Sequence, residues 1–551
     1  MQATICVGLN AIKNKNAELM FKPLFFGSVL LTATSAYCAT SVSPIGEAID
    51  LNQYREDVKI LASDEFEGRA PLSAGEDKTI DYLVKQFKDI GLAPAFGDSY
   101  IQPVPLAKIT ADQDMSLKFG DVTLTNASEF TARTQRISDN ITVDDDVVFV
   151  GYGVTAPEYN WHDYANVDVK GKTVIMLVND PGFASQDPDF FNGNAMTYYG
   201  RWTYKYEEAA RQDANAVFIV HETMPAGYGW GVIQNSNTNT KFTLIDDNEN
   251  QSQIGVMGWM TLRAAEKVFE AAGMNYRDMK AKASKPGFKA VDMKLHASLK
   301  MHNTIEKKQS RNVAGIIPGA KSPDEWVAMH AHWDHIGKAI ENGKEVVMNG
   351  AVDNASGVAG VLGLARVMKA MSEKKPFDRT LMFGAFTAEE TGLIGAEHFA
   401  QNPPVPASDI VAFLNIDGMN VNQSVDYILQ YGNGLSELED YVAKAAKAQG
   451  RFVKPDPRPQ NGLFFRSDHF AAAKQGIPSY LFMSLGDTDP SFIAKRYHKA
   501  ADDYLPSWDL GGVKQDLDLM GQIMAELANN GDWPKWTAES DFKAAREASG
   551  R

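Results

Sequence analysis

Residues 379–399 read RTLMFGAFTAEETGLIGAEHF. The run TLMFGAF has the continuous apolarity of a buried strand. Glu389 and Glu390 stand side by side just beyond it, and LIGAEHF then resumes an apolar pattern. Adjacent carboxylates repel, and the end of a buried strand is a costly place for them. A pair kept there needs a chemical reason.

The surrounding chain gives this strand its fold. From RNVAGIIPG onward, strand-like and helix-like stretches alternate: EWVAMHAH, NASGVAGVLGLARVMKAM, RTLMFGAF, DIVAFLNID, ELEDYVAKAAKAQ, IPSYLFM and GGVKQDLDLMGQIMAELAN. Such alternation predicts an α/β fold with a mostly parallel central sheet flanked by helices. Upstream, AIDLNQYREDVKILASDEFEGRAP and TIDYLVKQFKDIGLAPAF repeat apolar residues at spacings of three and four, which predicts helices, the second stopped at Gly91. Between these regions the texture changes to short β-rich runs such as DVVFVGYGV, KTVIMLVND and NAVFIVHE. The expected organisation is a signal region at 1–39, an N-terminal part of the main domain at 40–125, an inserted β-rich domain at 126–299, and the main part at 300–551.

The N-terminal expectation rests on MFKPLFFGSVLLTATSAYCATS, beginning at Met20. One lysine, an apolar run and small residues read as a secretory signal, with cleavage expected between Ala36 and Ala39. Tyr37 before Cys38 is a poor lipoprotein signal. The only cysteines are Cys6 and Cys38, so an intramolecular disulfide in the mature chain is excluded. No later segment reads as membrane-spanning. A periplasmic or secreted location is expected, without stable membrane insertion after signal cleavage. The net charge of −16 argues against nucleic acid as a partner.

In open α/β sheets, sites form beyond the carboxyl ends of strands. The segments that reach such ends carry metal-type ligands: His330, His332, Asp334 and His335 in VAMHAHWDHIG, Asp353 in NGAVDNASG, Glu389 and Glu390 in TAEETG, and Asp417 in FLNIDGMN. A later loop, KRYHKAADD, adds His498. Individually these read as helix caps, turn residues or surface histidines. Together, imidazoles and carboxylates suit zinc, and several carboxylates suit two ions sharing a bridge.

With those motifs in view, the sequence resembles the dizinc exopeptidases that include bacterial leucyl aminopeptidase, glutamate carboxypeptidase II and the non-catalytic transferrin receptor. LASDEFEGRAP, AHWDHIG, GAVDNASGVAG, AEETGLIGAEHF, NIDGMN, RSDHFAAAKQGIPS and YHKAADD follow in the family's order. The inserted segment resembles the protease-associated domain often carried by that family. The resemblance implies two zinc ions and peptide substrates. It assigns Asp353 as the bridge, Glu390 and His498 to one ion, and His332 and Asp417 to the other. Asp334 would orient the His332 ring, and Glu389 would be the general base. His330 and His335 are expected beside the site rather than as ligands.

One departure stands out. Bacterial aminopeptidases of the family carry a tyrosine shortly before SDH, where this chain reads NGLFFRSDHF, with Phe464 and Phe465. Ser467, a backbone N–H or a tyrosine of TYYGRWTYKY remain as oxyanion donors. The resemblance implies an aminopeptidase. A carboxypeptidase or dipeptidase is the alternative and would need a basic residue for a substrate carboxylate, with Arg201 and Arg466 as candidates. A binding module without chemistry, or a one-metal cyclase-like transferase, fits the ligand set less well. The sequence does not give the oligomeric state.

Overall fold

The computed structural model describes residues 43–341, 343–484 and 488–551. The expected signal region and both cysteines lie outside the described residues. Among them, no helix is long and apolar enough to cross a membrane.

The elements that place the site are helices α1 (Leu51–Leu61), α2 (Ala74–Ile90), α3 (Trp202–Arg211), α4 (Ser356–Lys374), α5 (Ile394–Gln401) and α6 (Gly511–Leu527). The strands are β1 (Ile101–Ala111), β2 (Phe130–Arg133), β3 (Asn140–Phe149), β4 (Thr173–Leu177), β5 (Ala216–His221) and β6 (Val256–Thr261). They continue with β7 (Val291–Ile317), β8 (Ser322–His332), β9 (Arg379–Phe386), β10 (Ile410–Asp417) and β11 (Ser479–Met483). Local chemistry fixes the ends of the first two helices. Asp50 caps α1 by accepting from the N–H groups of Asn52 and Gln53. Ser73 does the same for α2, which stops at Gly91 with φ +84°, a conformation glycine adopts without a Cβ clash.

Strands β11, β10, β8 and β9 lie side by side, and each neighbouring pair is parallel. Every residue of β9 and β10 is buried, which explains the absence of polar alternation in their sequences. The predicted α/β class with a parallel central sheet is therefore the observed one. α4 and α6 cover one face, contributing Val358, Leu362, Leu517 and Met520 to the main core. The opposite face packs Phe386, Phe399 and Phe413 together.

β7 joins the two halves of the molecule. Its C-terminal end pairs antiparallel with β9, its middle with β1, and its N-terminal part with β3. From β3 the sheet continues through β4, β5 and β6, all parallel, to β2. The middle of the chain thus contains four parallel strands and helices such as α3, more regular than its short apolar runs suggest. The hairpin Ser116–Phe119/Val122–Thr125 pairs with β7 at Ala297 and Ser298 and shares this second core through Leu117, Phe119 and Leu124. The middle region touches the C-terminal half at several points: the N–H of Met196 donates to the carbonyl of Pro459 at 3.2 Å, that of Tyr198 donates to Asp541 at 3.1 Å, and Lys474 bridges Glu207 and Glu397.

Candidate metal centre

Parallel strands place their carboxyl ends on one edge. β8 ends at His332 and β10 at Asp417, while β9 runs into Thr387, Ala388, Glu389 and Glu390. Asp353 lies immediately before α4. His498 arrives from a loop far along the chain. All five residues assigned as ligands meet here, in two clusters that share Asp353.

Nε2 of His332 lies 3.3 Å from Oδ1 of Asp353 and 3.6 Å from Oδ1 of Asp417. On the other side, Nε2 of His498 lies 3.3 Å from Oδ2 of Asp353 and 3.1 Å from Oε2 of Glu390. Two donors about 2.05 Å from one tetrahedral ion are about 3.4 Å apart. These separations are therefore those of atoms that can converge on a cation. Nε2 of His332, Oδ1 of Asp417 and Oε1 of Glu390 are buried and take no hydrogen-bond partner from the chain. Buried polar atoms are rarely left so, and atoms of this donor chemistry are satisfied by a divalent ion. His335, Asp353 and Glu390 form a further group of potential donors. There Nδ1 of His335 is only 2.6 Å from Oε1 of Glu390. That is too short for two donors spread around one tetrahedral ion, and neither atom makes a hydrogen bond to the chain.

The electrostatics follow from this crowding. Burial disfavours the His332 cation, but Glu389, Asp353 and Asp417 outweigh it and hold the imidazole well above its ordinary range. His498 is pushed up to about 10, with Glu390 and Asp353 overcoming its burial. Burial drives Glu389 well above a normal glutamate, and its acidic neighbours Asp417 and Glu390 add to the effect. Burial also raises Asp334 to about 7. Glu390 is lowered to about 2: burial and Asp353 oppose its charge, while His498 and His335 favour it more strongly. So many carboxylates in one buried edge favour positive charge, and a dication supplies more of it than the imidazoles can.

The supporting contacts revise one expectation. Asp334 was expected to orient His332. Instead its carboxylate accepts the N–H of Glu389 at 3.0 Å and of Glu390 at 3.4 Å. The His332 ring bonds through Nδ1 to the backbone carbonyl of Asp334 at 3.1 Å, and the carboxylate stands 3.8 Å away. The side chain of Asp334 therefore fixes the peptide that carries both glutamates. Ala388 and His498 hold φ near +55°, a strained choice for residues with a Cβ.

Three supports were not singled out from sequence. Arg69 is fully buried and donates to four carbonyls: Trp333 (2.8 Å), Leu61 (2.6 Å), Asn349 (2.7 Å) and Gly350 (2.9 Å). It thus ties the loop after β8 to the loop before Asp353. Asp502 accepts from the N–H groups of Val352 and Asp353. Asn354 accepts from Gly357 and Gly418 and donates to the carbonyl of Ile416, joining the loops of Asp353 and Asp417. Arg69 and Asp502 sit inside the quoted motifs LASDEFEGRAP and YHKAADD, so motif membership was the available signal.

His330 lies behind the centre, stacked on Phe386 and near Phe413, with Nε2 3.8 Å from Asp468. Of the oxyanion candidates, Ser467 Oγ accepts from Asn415 at 2.6 Å, Tyr198 bonds Glu207, and Tyr199 bonds Glu158. Phe464 and Phe465 pack in an aromatic cluster with Phe470, Trp536 and Phe542. Tyr497, which sequence reasoning passed over, stacks on His498 at 3.9 Å between ring centroids. Burial, then Asp353, Glu390, Asp417 and Glu389, raise its phenol well above the usual value, so it stays a protonated donor. Beyond it, the buried Arg201 and the half-buried Arg466 approach Tyr228, and each keeps an Nε without a hydrogen-bond partner.

Comparison with known proteins finds partial matches. Over 120 residues the chain is 34% identical to aminopeptidase NAALADL1 of Mus musculus, covering 21% of this chain and 15% of that one. It is 29% identical over 153 residues to a glutamate carboxypeptidase 2 homolog of Caenorhabditis briggsae, covering 27% and 18%. The chain therefore spans less than a fifth of the length of these curated relatives. The aminopeptidase from Aneurinibacillus sp. strain AM-1 shares the fold, with a TM-score of 0.51 and 22% identity over 89% of this chain and 96% of that one. The segment carrying every residue of the two clusters, 312–519, matches the model of Peptidase family M28.

Proposed function

We propose that the chain is an exported, zinc-dependent aminopeptidase that removes N-terminal residues from peptides. One observation carries the reading: Asp353 turns Oδ1 toward His332 and Oδ2 toward His498, 3.3 Å in each case. A carboxylate so placed is suited to bridge two cations. His332 and Asp417 would complete one position, Glu390 and His498 the other. When bound, such ions supply a Lewis acid for the scissile carbonyl and lower the pKa of an attacking water.

The chain's own groups do the rest. Glu389 has no role as a ligand in this scheme and takes the proton of the attacking water, then returns it to the leaving amine. Asp334 keeps Glu389 aimed by holding its peptide N–H. The phenol of Tyr497 supplies a donor for the carbonyl oxygen as it gains charge, the role that the 463–466 segment lacks. The middle region, meeting the 459–466 loop through Met196, forms a wall of the substrate cleft in the manner of a protease-associated domain. The leader-like stretch from Met20 supports export.

A second reading has its own observation. Arg201 is 8% exposed and is brought beside Arg466, and each keeps an Nε without a hydrogen-bond partner. Two such cations facing Tyr228 suit a substrate α-carboxylate, as a carboxypeptidase or dipeptidase requires. The deciding experiment measures metal content and hydrolysis of amino-acid anilides and N-blocked dipeptides, with and without chelator. The aminopeptidase reading expects about two zinc ions, chelator-sensitive cleavage of anilides, and little action on blocked dipeptides. Preference for blocked dipeptides, reduced by Arg201→Met, favours the second. Chelator-insensitive hydrolysis with no bound transition metal overturns both.

A further inference from the structure

We propose that Glu76 is a positioning residue for Glu389, acting across the molecule through the hydroxyls of Ser310 and Thr387. The inference rests on the proposed role of Glu389 as base and concerns residues outside both ligand clusters. Ser73 and Glu76 stand at the S-x-x-E spacing of a capping box, in which the glutamate reaches back to the N–H of the cap residue. Glu76 makes a different set of contacts. Its Oε2 accepts the N–H of Leu72 at 2.5 Å and the hydroxyl of Ser310 at 3.1 Å, and its Oε1 accepts Nε of Arg311 at 2.9 Å. Glu76 is 1% exposed, so α2 is tied to β7 inside the molecule.

Ser310 carries the contact on. Backbone pairing between β7 and β9 ends at Val313 and Ala385. Ser310 and Thr387 lie just past that end, where side chains replace the ladder. Their hydroxyl oxygens are 2.6 Å apart. Ser310 has one hydroxyl proton and gives it to Glu76, so Thr387 must donate to Ser310. Thr387 is also held by Asn312 Oδ1, which accepts its N–H at 3.1 Å, and by the N–H of Gly395, which donates to its carbonyl at 2.9 Å. Ser310, Asn312 and Thr387 are fully buried. Two residues on comes Glu389, whose N–H donates to Asp334. The turn that carries the base is therefore gripped twice: by Asp334 at Glu389 and Glu390, and by the Glu76–Ser310–Thr387 chain at its start. Glu76→Gln cannot serve that chain, because its one amide oxygen would face three donors.

The test uses the full chain in two states. Hydrogen exchange of segment 387–393 is measured by mass spectrometry on metal-stripped protein, and kcat and KM for amino-acid anilides on the zinc-loaded form. Ser310→Ala and Thr387→Val should each speed exchange of that segment by about 2–10-fold. They should lower kcat about tenfold and move KM less than about twofold. Thr387→Ser keeps the hydroxyl and should restore both readouts. Glu76→Gln should behave like Ser310→Ala, and the double variant should be no worse than the worse single one, because both cut the same chain. A residue that only supports the fold would lower the urea midpoint while leaving segment exchange and kcat at wild type; that result overturns the proposal. Additive losses of kcat in the double variant overturn it too. A wild-type chain that cleaves neither anilides nor blocked dipeptides overturns the proposed function; an active wild type with unchanged exchange and kcat in Ser310→Ala and Thr387→Val overturns this inference alone.

Discussion

Replacing Arg69 should loosen both the fold and the centre, by an amount that its contacts set. Its guanidinium donates to four carbonyls at 2.6–2.9 Å, from Leu61, Trp333, Asn349 and Gly350. A hydrogen bond to a charged group contributes roughly 1.5–3 kcal/mol, so four give about 6–12 kcal/mol before costs. Burial lowers the Arg69 pKa from its ordinary value to about 10, and Asp334, Asp502 and Asp353 only partly offset this. That fall corresponds to about 3 kcal/mol against the charged form. Arg69→Met removes the donors and leaves four carbonyls, some of which water will reach. The expected loss is therefore about 3–5 kcal/mol. Arg69→Lys keeps the charge but not the planar fork, and should recover no more than about half. Urea unfolding followed by tryptophan fluorescence reads the stability, and chelator competition reads the metal. Since Arg69 spans the loops of His332 and Asp353, both should fall together. A loss below about 1 kcal/mol in Arg69→Met, with metal affinity intact, would refute the clamp.

Three further outcomes follow from the same geometry. Glu389→Gln should retain both ions and lower kcat by ~10²–10⁴-fold, whereas Glu390→Gln should lose metal affinity and regain activity with added zinc; kinetics beside elemental analysis separates them, and near-full activity in Glu389→Gln would remove it as the base. Asp334→Asn turns an acceptor for the Glu389–Glu390 peptide into a partial donor, so kcat should drop at least about tenfold while the His332 contact to the Asp334 carbonyl persists; a change confined to KM would argue against that role. Away from the centre, burial raises Asp163 from 3.8 to about 6 even though it accepts from Val154 N–H and Trp161 Nε1. A carboxyl raised on folding loses stability as pH climbs from about 4 to about 6, so unfolding midpoints measured across that window should fall, and Asp163→Asn should flatten the fall while matching wild type near pH 4.

The sequence by itself determined the α/β class and which residues meet at the strand ends. Both depend on short-range information: continuous apolar runs alternating with helical periodicity give parallel strands, and parallel strands present their next residues on one edge. Glu389, Glu390 and Asp417 needed only that rule, and the order of motifs added His332, Asp353 and His498. Where a side chain turns within the edge is a different matter, because it depends on which backbone groups from elsewhere are left to be satisfied. Asp334 sits two residues from His332 and was read as its partner. Its carboxylate instead found the unpaired N–H groups of Glu389 and Glu390, which only strand pairing brings alongside. His335 and Glu390 are brought to contact by the same pairing. Arg201 and Arg466 become neighbours only because β7 folds the middle of the chain against the C-terminal half. Arg69 found its four carbonyls at the end of α1 and in two separate loops. Tyr497 gained its place by stacking on His498, a contact that no spacing announces. Which donor-bearing residues reach the edge follows from residue type and strand end, while the ligand roles came from the family resemblance; the aim of each supporting side chain is settled by the packing of distant segments.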